Sequence, residues 1–391
     1  MKTIIRLSKL LFEKYPNSAE KLTAVFDKHN IEYEVLENTK DIWTRDYMPL
    51  CLDDGSLVSY VYEPDYLQDK KYEEIKTKIP YEHIHLDLVI DGGNFVRHRN
   101  KAIMTDKIFS ENPTKPKEEI IDTIKSTCKL DDLIIIPKQP YDTFGHIDSM
   151  IRWVNEDSVI INDFSIESAS YNEKLTKALK QHNLKRYTMK YSDSFFIENR
   201  DWGAYLNFLK IKDLLIVPIY GIPEDKLAIN QLKNIYTNCT IETIELNEIM
   251  NEGGAIHCIT SERVILNQYL IIEVTLKQFK ILSVRSENNL PTILDCRFID
   301  LENRLELKTF LDKLDFNKHY SVISFDKNFY DYEVQNLLKE LKKQNFEFNE
   351  IVDDIFAISL PNKEIKNGFL NLSEKQNTVL NSLVWHLVEK E

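Results

Sequence analysis

The 391 residues carry 63 acidic and 50 basic side chains, a formal charge of −13 at pH 7, and 43% of them are hydrophobic. This composition is that of a globular protein long enough for two domains. The acidic balance disfavours nucleic acid and anionic membranes and favours cationic ligands. The five cysteines form no CxxC pair, and the opening segment is broken by charges. We therefore predict a cytoplasmic protein with reduced thiols and no membrane span.

Short apolar runs alternate with amphipathic stretches through the first 280 residues. A strand ahead of the first helix is weak or absent in this pattern. The pattern predicts helices over 19–30, 171–181 and 224–236, and strands over 31–36, 86–90, 131–138, 158–163, 213–220 and 240–246. Such alternation is typical of α/β modules.

The composition changes after about residue 280, where paired glycines end and Asn, Lys, Glu, Leu and Phe dominate. Strands over 319–325 and 354–360 and helices over 332–344 and 373–389 are predicted there. We therefore assign residues 1–280 to a catalytic domain. Residues 281–391 are assigned to a small α/β accessory module, which could bind a protein partner.

Glycine is scarce, with nine where roughly 27 would be expected at about 7%. Glycine is retained where φ must be positive or where the backbone approaches another group closely. Five of the nine stand beside side chains capable of chemistry: Gly92 and Gly93 beside Asp91, Gly145 beside His146, and Gly253 and Gly254 near Cys258.

Four segments carry these residues: DIWTRDYMPL (41–50), LVIDGGNFV (88–96), DTFGHIDSM (142–150) and NEGGAIHCIT (251–260). A thiolate with an imidazole that exchanges protons at neutral pH indicates nucleophilic catalysis. The three aspartates Asp46, Asp91 and Asp148 suit a planar cation such as a guanidinium.

Each residue also has a structural interpretation. Cys258 could be a core thiol, His146 a turn histidine, and Arg45 with Asp46 a surface ion pair. Metal ligation is a further alternative, but neighbours on a strand point to opposite faces, so His257 and Cys258 would not share an ion. No metal is predicted.

In this order, the segments resemble the agmatine deiminase and Porphyromonas-type peptidyl-arginine deiminase family, within the guanidino-group-modifying (pentein) superfamily. The family motifs W-x-R-D-x-x-P, E-G-G-N, G-H-x-D and G-G-x-x-H-C stand here as WTRDYMP (43–49), DGGN (91–94), GHID (145–148) and GGAIHC (253–258). The stretch 205–220 is similar to the family's N-F…V-x-V-P segment. The resemblance covers about 20–262 and implies an α/β propeller of ββαβ modules around a central site.

The resemblance also implies a mechanism. Cys258 would attack the guanidinium carbon to form a thiouronium intermediate, and His146 would protonate the departing ammonia and then activate water. Asp91 stands where the family usually has Glu, so its contact with His146 is expected to need an inward backbone shift or to be weaker. The implied catalytic residues are Cys258, His146, Asp91 and Asp148, and the implied substrate-binding residues are Asp46, Trp43, Arg45, Asn94 and Gly254, without metal or cofactor.

The implied activity is hydrolysis of agmatine to N-carbamoylputrescine and ammonia, a step of polyamine biosynthesis. The alternatives are a peptidyl-arginine deiminase acting on arginine side chains of a protein, an amidinotransferase, and an inactive pentein used for binding. Because Asp91→Glu restores the family's usual side-chain length, this substitution is expected to be tolerated or beneficial for agmatine turnover. The sequence leaves open whether the chain forms a homo-oligomer.

Overall fold

The computed structural model describes residues 2–67, 81, 83–140, 142–192 and 204–265, together with the shorter segments 268–274, 278–287, 290–300, 306, 309, 320–325 and 347–348. The chain divides into two compact units, Thr3–Arg263 and Val264–Glu391, the latter with Met1–Lys2. The boundary between the units therefore lies between Arg263 and Val264, before residue 280. The assignment of residues 1–280 and 281–391 as domains stays a prediction. No helix among these described residues is long and apolar enough to cross a membrane.

Five three-stranded sheets build the described part of the first unit. They are ordered β15-β1-β2, β3-β4-β5, β6-β7-β8, β11-β10-β9 and β12-β13-β14. The strands are β1 Lys2–Ser8, β2 Glu32–Leu36, β3 Leu50–Cys51, β4 Leu57–Val61, β5 Ile84–Val89, β6 Val96–His98, β7 Lys101–Thr105, β8 Asp132–Ile136, β9 Ile151–Asn155, β10 Ser158–Ile161, β11 Lys185–Thr188, β12 Leu209–Ile211, β13 Leu214–Ile219, β14 Thr240–Glu245 and β15 Ser261–Ile265.

The sheets repeat one connection. Four of the sheets are built from three consecutive strands each: β3–β5, β6–β8, β9–β11 and β12–β14. In each of them the first two strands pair antiparallel, and the third strand pairs parallel with the second. A parallel pair needs a crossover, and helices supply it where the connection is described. The helices are α1 Lys9–Lys14, α2 Pro16–Lys28, α3 Thr44–Tyr47, α4 Lys107–Glu111, α5 Lys117–Thr127, α6 Ala169–Gln181, α7 Glu224–Ile235 and α8 Asn247–Met250.

Local sequence explains these elements. Helix α6 begins after Ser168, whose side chain accepts a hydrogen bond from Tyr171 N, a common way to satisfy a free N–H at a helix start. Its buried face repeats every four residues, at Tyr171, Leu175 and Leu179. The middle strand β13 is a nearly continuous buried apolar run, as expected of a strand covered on both faces.

The predicted elements of the first unit are found within a few residues of their expected bounds, with one correction. A strand does precede the first helix: β1 pairs with β2 and neighbours β15. The charged Arg6 obscured this strand in the sequence, yet it is fully buried and donates hydrogen bonds to the carbonyl oxygens of Pro49 and Glu262. Strand β1 therefore joins the first and last segments of the unit in one sheet.

A five-stranded sheet of order β18-β17-β16-β19-β20 is described in the second unit. Its strands are β16 Gln268–Val274, β17 Gln278–Glu287, β18 Leu290–Asp300, β19 Tyr320–Phe325 and β20 Glu347–Phe348. The strand predicted at 319–325 is confirmed, whereas the antiparallel strands β16, β17 and β18 were not predicted. The elements predicted at 332–344, 354–360 and 373–389 lie outside the described residues.

Candidate active site

The candidate site is assembled from the junctions between successive sheets. Each junction follows the last strand of one sheet and precedes the first strand of the next, and most contain a short helical turn. The junctions after β2, β5, β8, β11 and β14 carry, in that order, Asp46, Asp91, His146 with Asp148, Asn207, and His257 with Cys258. The repeated connection thus brings residues far apart in sequence to one place.

His146 lies between two carboxylates. Its Nε2 is 2.6 Å from Asp91 Oδ2, and its Nδ1 is 3.9 Å from Asp46 Oδ1. Burial opposes a charge on the ring, but Asp91 and Asp46 outweigh it and raise the pKa of His146 to about 10. The imidazole is therefore protonated at neutral pH and can supply a proton.

Gly93 has no side chain, and this allows the imidazole ring of His146 to pack directly against its backbone. A Cβ there would lie 2.8 Å from both Cγ and Cε1 of His146. Asp91 Oδ1 accepts a hydrogen bond from Gly93 N at 3.0 Å, so the carboxylate is held by the same turn. Because the ring packs directly against this backbone, the shorter Asp91 still reaches His146 Nε2 at 2.6 Å.

Cys258 is held by Asn207. The Nδ2 of Asn207 lies 3.2 Å from Cys258 Sγ, and Asn207 Oδ1 accepts a hydrogen bond from Cys258 N at 3.2 Å. Burial, followed by the carboxylates of Asp148 and Asp46, raises the pKa of Cys258 well above its ordinary value. Without a cation in the site, the sulfur therefore carries its proton.

A second histidine supports Asp148. His257 Nδ1 is 2.6 Å from Asp148 Oδ2, and the same oxygen lies 3.8 Å from Cys258 Sγ. Burial, followed by the charges of Arg152 and Arg45, lowers the pKa of His257 well below its ordinary value. His257 is therefore neutral where His146 is charged, and its Nδ1–H donates to the carboxylate.

This arrangement corrects the expectation that His257 and Cys258 point apart. Residues 255–260 form a turn with helical hydrogen bonds, Ile259 N to Ala255 O at 3.3 Å and Thr260 N to His257 O at 3.2 Å. Adjacent side chains on such a turn do not alternate between faces as they do on a strand. Both side chains consequently contact Asp148.

Two carboxylate oxygens of the site lack a hydrogen-bond donor among the described residues. Asp46 Oδ1 and Asp148 Oδ1 are buried and have no hydrogen-bond partner among the described residues. Burial raises the pKa of Asp46 well above its ordinary range and also raises the pKa of Asp148. Unsatisfied buried carboxylates are costly, and a planar cation with several N–H groups would satisfy both.

The remaining predicted residues contact the turns of the site. The ring of Trp43 packs on Gly254, where a Cβ would lie 2.8 Å from Trp43 Cη2. Arg45 directs Nη1 to Glu262 Oε2 at 2.7 Å and Nε to His257 O at 3.4 Å. Its charge is thus paired within the protein rather than with the neighbouring Asp46.

Asn94 has a similar supporting position. Its Oδ1 accepts a hydrogen bond from Thr105 N at 2.8 Å, which ties the turn after Asp91 to strand β7. The assignment of Arg45, Asn94, Trp43 and Gly254 to substrate binding stays a prediction.

The ligand atoms of Asp46, Asp91 and His146 lie within 4.8 Å of one another, a spacing that could hold a metal ion. Both ring nitrogens of His146 face carboxylates, however, and a doubly protonated ring has no lone pair to offer a metal. The cluster therefore suits an organic cation that binds the carboxylates alone.

Sequence reasoning gave no role to three residues of the site. Asn207 lies in the 205–220 stretch that was compared with the family, and its position at the fourth junction is the signal that could have identified it. The sequence indicates His257 only as a candidate metal ligand. Tyr66, whose hydroxyl is 2.5 Å from Asp91 Oδ2, lies between β4 and β5 and carries no recognisable motif.

These modules and their central site define a pentein. An agmatine deiminase from C. jejuni has the same fold, with a TM-score of 0.53 and 18% identity, covering 67% of this chain and 92% of that one. A cysteine-to-serine variant of a C. jejuni agmatine deiminase, solved with substrate bound, gives a TM-score of 0.50 at 17% identity, covering 67% of this chain and 92% of that one.

The family follows from the sequence comparison. A family model described as Porphyromonas-type peptidyl-arginine deiminase matches residues 8–263, and the chain belongs to this family. Relatives from Mycoplasma capricolum and Streptococcus mutans, both provisionally named agmatine deiminase, are each 26% identical to it. The matches cover 46% of this chain and 59% of the first relative, and 64% and 80% for the second. The chain thus spans about three fifths of the M. capricolum relative.

Proposed function

We propose that this protein is a guanidino-group hydrolase that converts agmatine and water to N-carbamoylputrescine and ammonia. The observation that carries the proposal is the pair of buried oxygens without donors, Asp46 Oδ1 and Asp148 Oδ1, beside the thiol of Cys258. A guanidinium is planar, cationic and rich in N–H donors, so it would satisfy both carboxylates. The names of the agmatine deiminase relatives support the choice of agmatine.

The substrate's charge activates the thiol. Because burial and the carboxylates hold the proton on Cys258, a bound guanidinium, which offsets that negative charge, lowers the cost of releasing this proton to solvent and forming the thiolate. The thiolate attacks the guanidinium carbon and forms a C–S bond. His146 is already protonated and transfers its proton to the nitrogen that departs as ammonia, leaving a thiouronium on the sulfur.

Hydrolysis then restores the enzyme. The neutral His146 takes a proton from a water molecule, which attacks the same carbon. Collapse of this adduct breaks the C–S bond, and the departing sulfur takes up the hydroxyl proton of the adduct, which leaves the ureido product and the free thiol. Asp91 remains bonded to His146 Nε2 through both steps and steadies each charge state of the ring. Asn207 Nδ2, 3.2 Å from Sγ, favours the thiolate on departure.

The test measures ureido product and ammonia from the purified full chain with agmatine, free arginine and an arginine-containing peptide. We expect turnover of agmatine, and at least a thousandfold loss in Cys258→Ala, because among the described residues of the site Cys258 carries the only thiol. The matched control is Cys239→Ala, which removes a half-buried thiol packed in the core beside β14 and should retain activity.

Three other outcomes would contradict parts of this proposal. Turnover of the peptide alone would contradict agmatine hydrolysis and identify a protein-modifying enzyme. Undiminished activity in Cys258→Ala would refute the nucleophile. Failure of all three substrates would leave a pentein that binds without turnover.

A further inference from the structure

The hydroxyl of Tyr66 reaches the catalytic pair from a loop outside the site motifs. It lies 2.5 Å from Asp91 Oδ2 and 3.3 Å from His146 Nε2. Asp91 Oδ2 therefore accepts two hydrogen bonds, one from the imidazolium and one from the phenol. Burial, followed by the charges of Asp91 and Asp46, raises the pKa of Tyr66 far above its ordinary value, so the phenol remains a donor.

The ring of Tyr66 is anchored independently of this hydrogen bond. Lys107 Nζ lies 4.6 Å from the ring centroid and is itself held by Asp65 Oδ1 at 2.9 Å and Glu111 Oε1 at 3.0 Å. The ring also packs edge-to-face with Phe144, with centroids 5.0 Å apart. These contacts fix where the hydroxyl points.

We propose that Tyr66 is a positioning residue, and that Tyr66 and the short Asp91 together perform the task of holding His146 for proton transfer. The inference rests on the proposed deimination for its role in turnover, although the contact itself does not depend on it. Asp91 places its carboxylate close to its own backbone, and Tyr66 occupies the space beyond Oδ2. The two residues form one unit, in which each side chain is matched in length to the other.

This unit changes the expectation for Asp91→Glu. A Glu at this position would carry its carboxylate one methylene further, toward either the His146 ring or the Tyr66 hydroxyl, which already lie 2.6 and 2.5 Å from Oδ2. Both neighbours are packed and neither can retreat freely. The longer side chain, tolerated on sequence grounds alone, should therefore be accommodated only when the hydroxyl is removed.

The second consequence concerns the charge on His146. The ring is faced by Asp46, Asp91, Asp148, Tyr66 and the neutral His257, and Lys107 stands beyond Tyr66 with its charge paired. The hydroxyl of Tyr66 donates a hydrogen bond to Asp91 Oδ2 and so offsets part of the charge of this carboxylate, which weakens the attraction between Asp91 and the His146 imidazolium. Removing the hydroxyl should therefore strengthen that attraction.

The experiment combines kinetics with an NMR titration of the ring. Wild type, Tyr66→Phe, Asp91→Glu and the double variant are compared, with Tyr81→Phe as the matched control. Tyr81 also donates to a carboxylate, Glu34 Oε1 at 2.5 Å, but outside the site. The His146 signals are assigned by their loss in His146→Gln.

We expect Tyr66→Phe to lower kcat about tenfold with little change in KM, the loss of a hydrogen bond to a charged group. The pKa of His146 should rise by about half a unit or more. Asp91→Glu alone should lose activity about tenfold or more, and adding Tyr66→Phe should recover most of that loss, a non-additive result. Tyr81→Phe should match wild type in kcat and in the pKa of His146.

Two results would overturn the inference: an unchanged pKa of His146 in Tyr66→Phe, or losses that simply add in the double variant. The titration needs no turnover. A wild-type chain that fails on every guanidine would therefore refute the proposed function while the NMR result still decides the role of Tyr66.

Discussion

The substitution Gly93→Ala tests whether backbone packing sets the position of His146, the proposed acid–base group. A Cβ at this position would lie 2.8 Å from His146 Cγ and Cε1, where ordinary van der Waals contact begins at 3.4 Å. The ring must therefore retreat by about 0.6 Å or more, in a site where a 1 Å misplacement costs about 100-fold in rate. We expect kcat/KM to fall about 30- to 100-fold, or about 2–3 kcal/mol of transition-state stabilisation.

Ammonia release from agmatine would measure this loss, and NMR titration of His146 would measure its cause. As the ring moves away from Asp91, its pKa should fall from about 10 toward its ordinary value. Gly221→Ala is the control: its φ of +76° strains any other residue, but a Cβ there meets nothing within 4 Å. That variant should lose about 1 kcal/mol of stability and no activity. Wild-type rates in Gly93→Ala would refute the packing argument.

Three further predictions concern the rest of the site. Asn207→Ala should lower kcat/KM about 100-fold and slow alkylation of Cys258 by iodoacetamide, because the donor to the sulfur is lost; equal alkylation rates would count against it. Arg45→Met should lower the free energy of unfolding in urea by about 1–3 kcal/mol, because the half-buried carboxylate of Glu262 loses its partner. The raised pKa of His146 should stabilise the fold fully below pH 6.5, and this contribution should disappear as the pH rises toward 10. His146→Gln should remove that part of the pH dependence, and an unchanged urea titration would contradict it.

The two histidines show how environment rather than residue type assigns a role. His146 faces carboxylates and is charged, whereas His257 is near Arg45 and Arg152 and is neutral. Titratable groups whose pKa values are driven apart are a mark of acid–base assignment in active sites. His146 is thus suited to proton transfer, and His257 to holding Asp148.

Many residues of this site could be proposed from the sequence because they lie in short local motifs. The glycines beside Asp91, His146 and Cys258 mark turns, and at Gly92, Gly93 and Gly254 a side chain would collide with a neighbouring group, as the close approach of His146 to Gly93 illustrates. Strands such as β13 and helices such as α6 were also predictable, since their burial follows the period of one element.

The tertiary structure decided what depends on distant partners. Strand β1 was missed because a buried Arg6 looks like a surface residue until the carbonyl oxygens that it binds are known. Tyr66 and Asn207 lie 25 and 51 residues from the groups they contact, and no periodicity relates such positions. Sequence alone determined which reactive groups this protein possesses, because turns and strands are local. Their charge states and their separations were decided by the fold, because burial and electrostatic energy depend on which side chains finally meet.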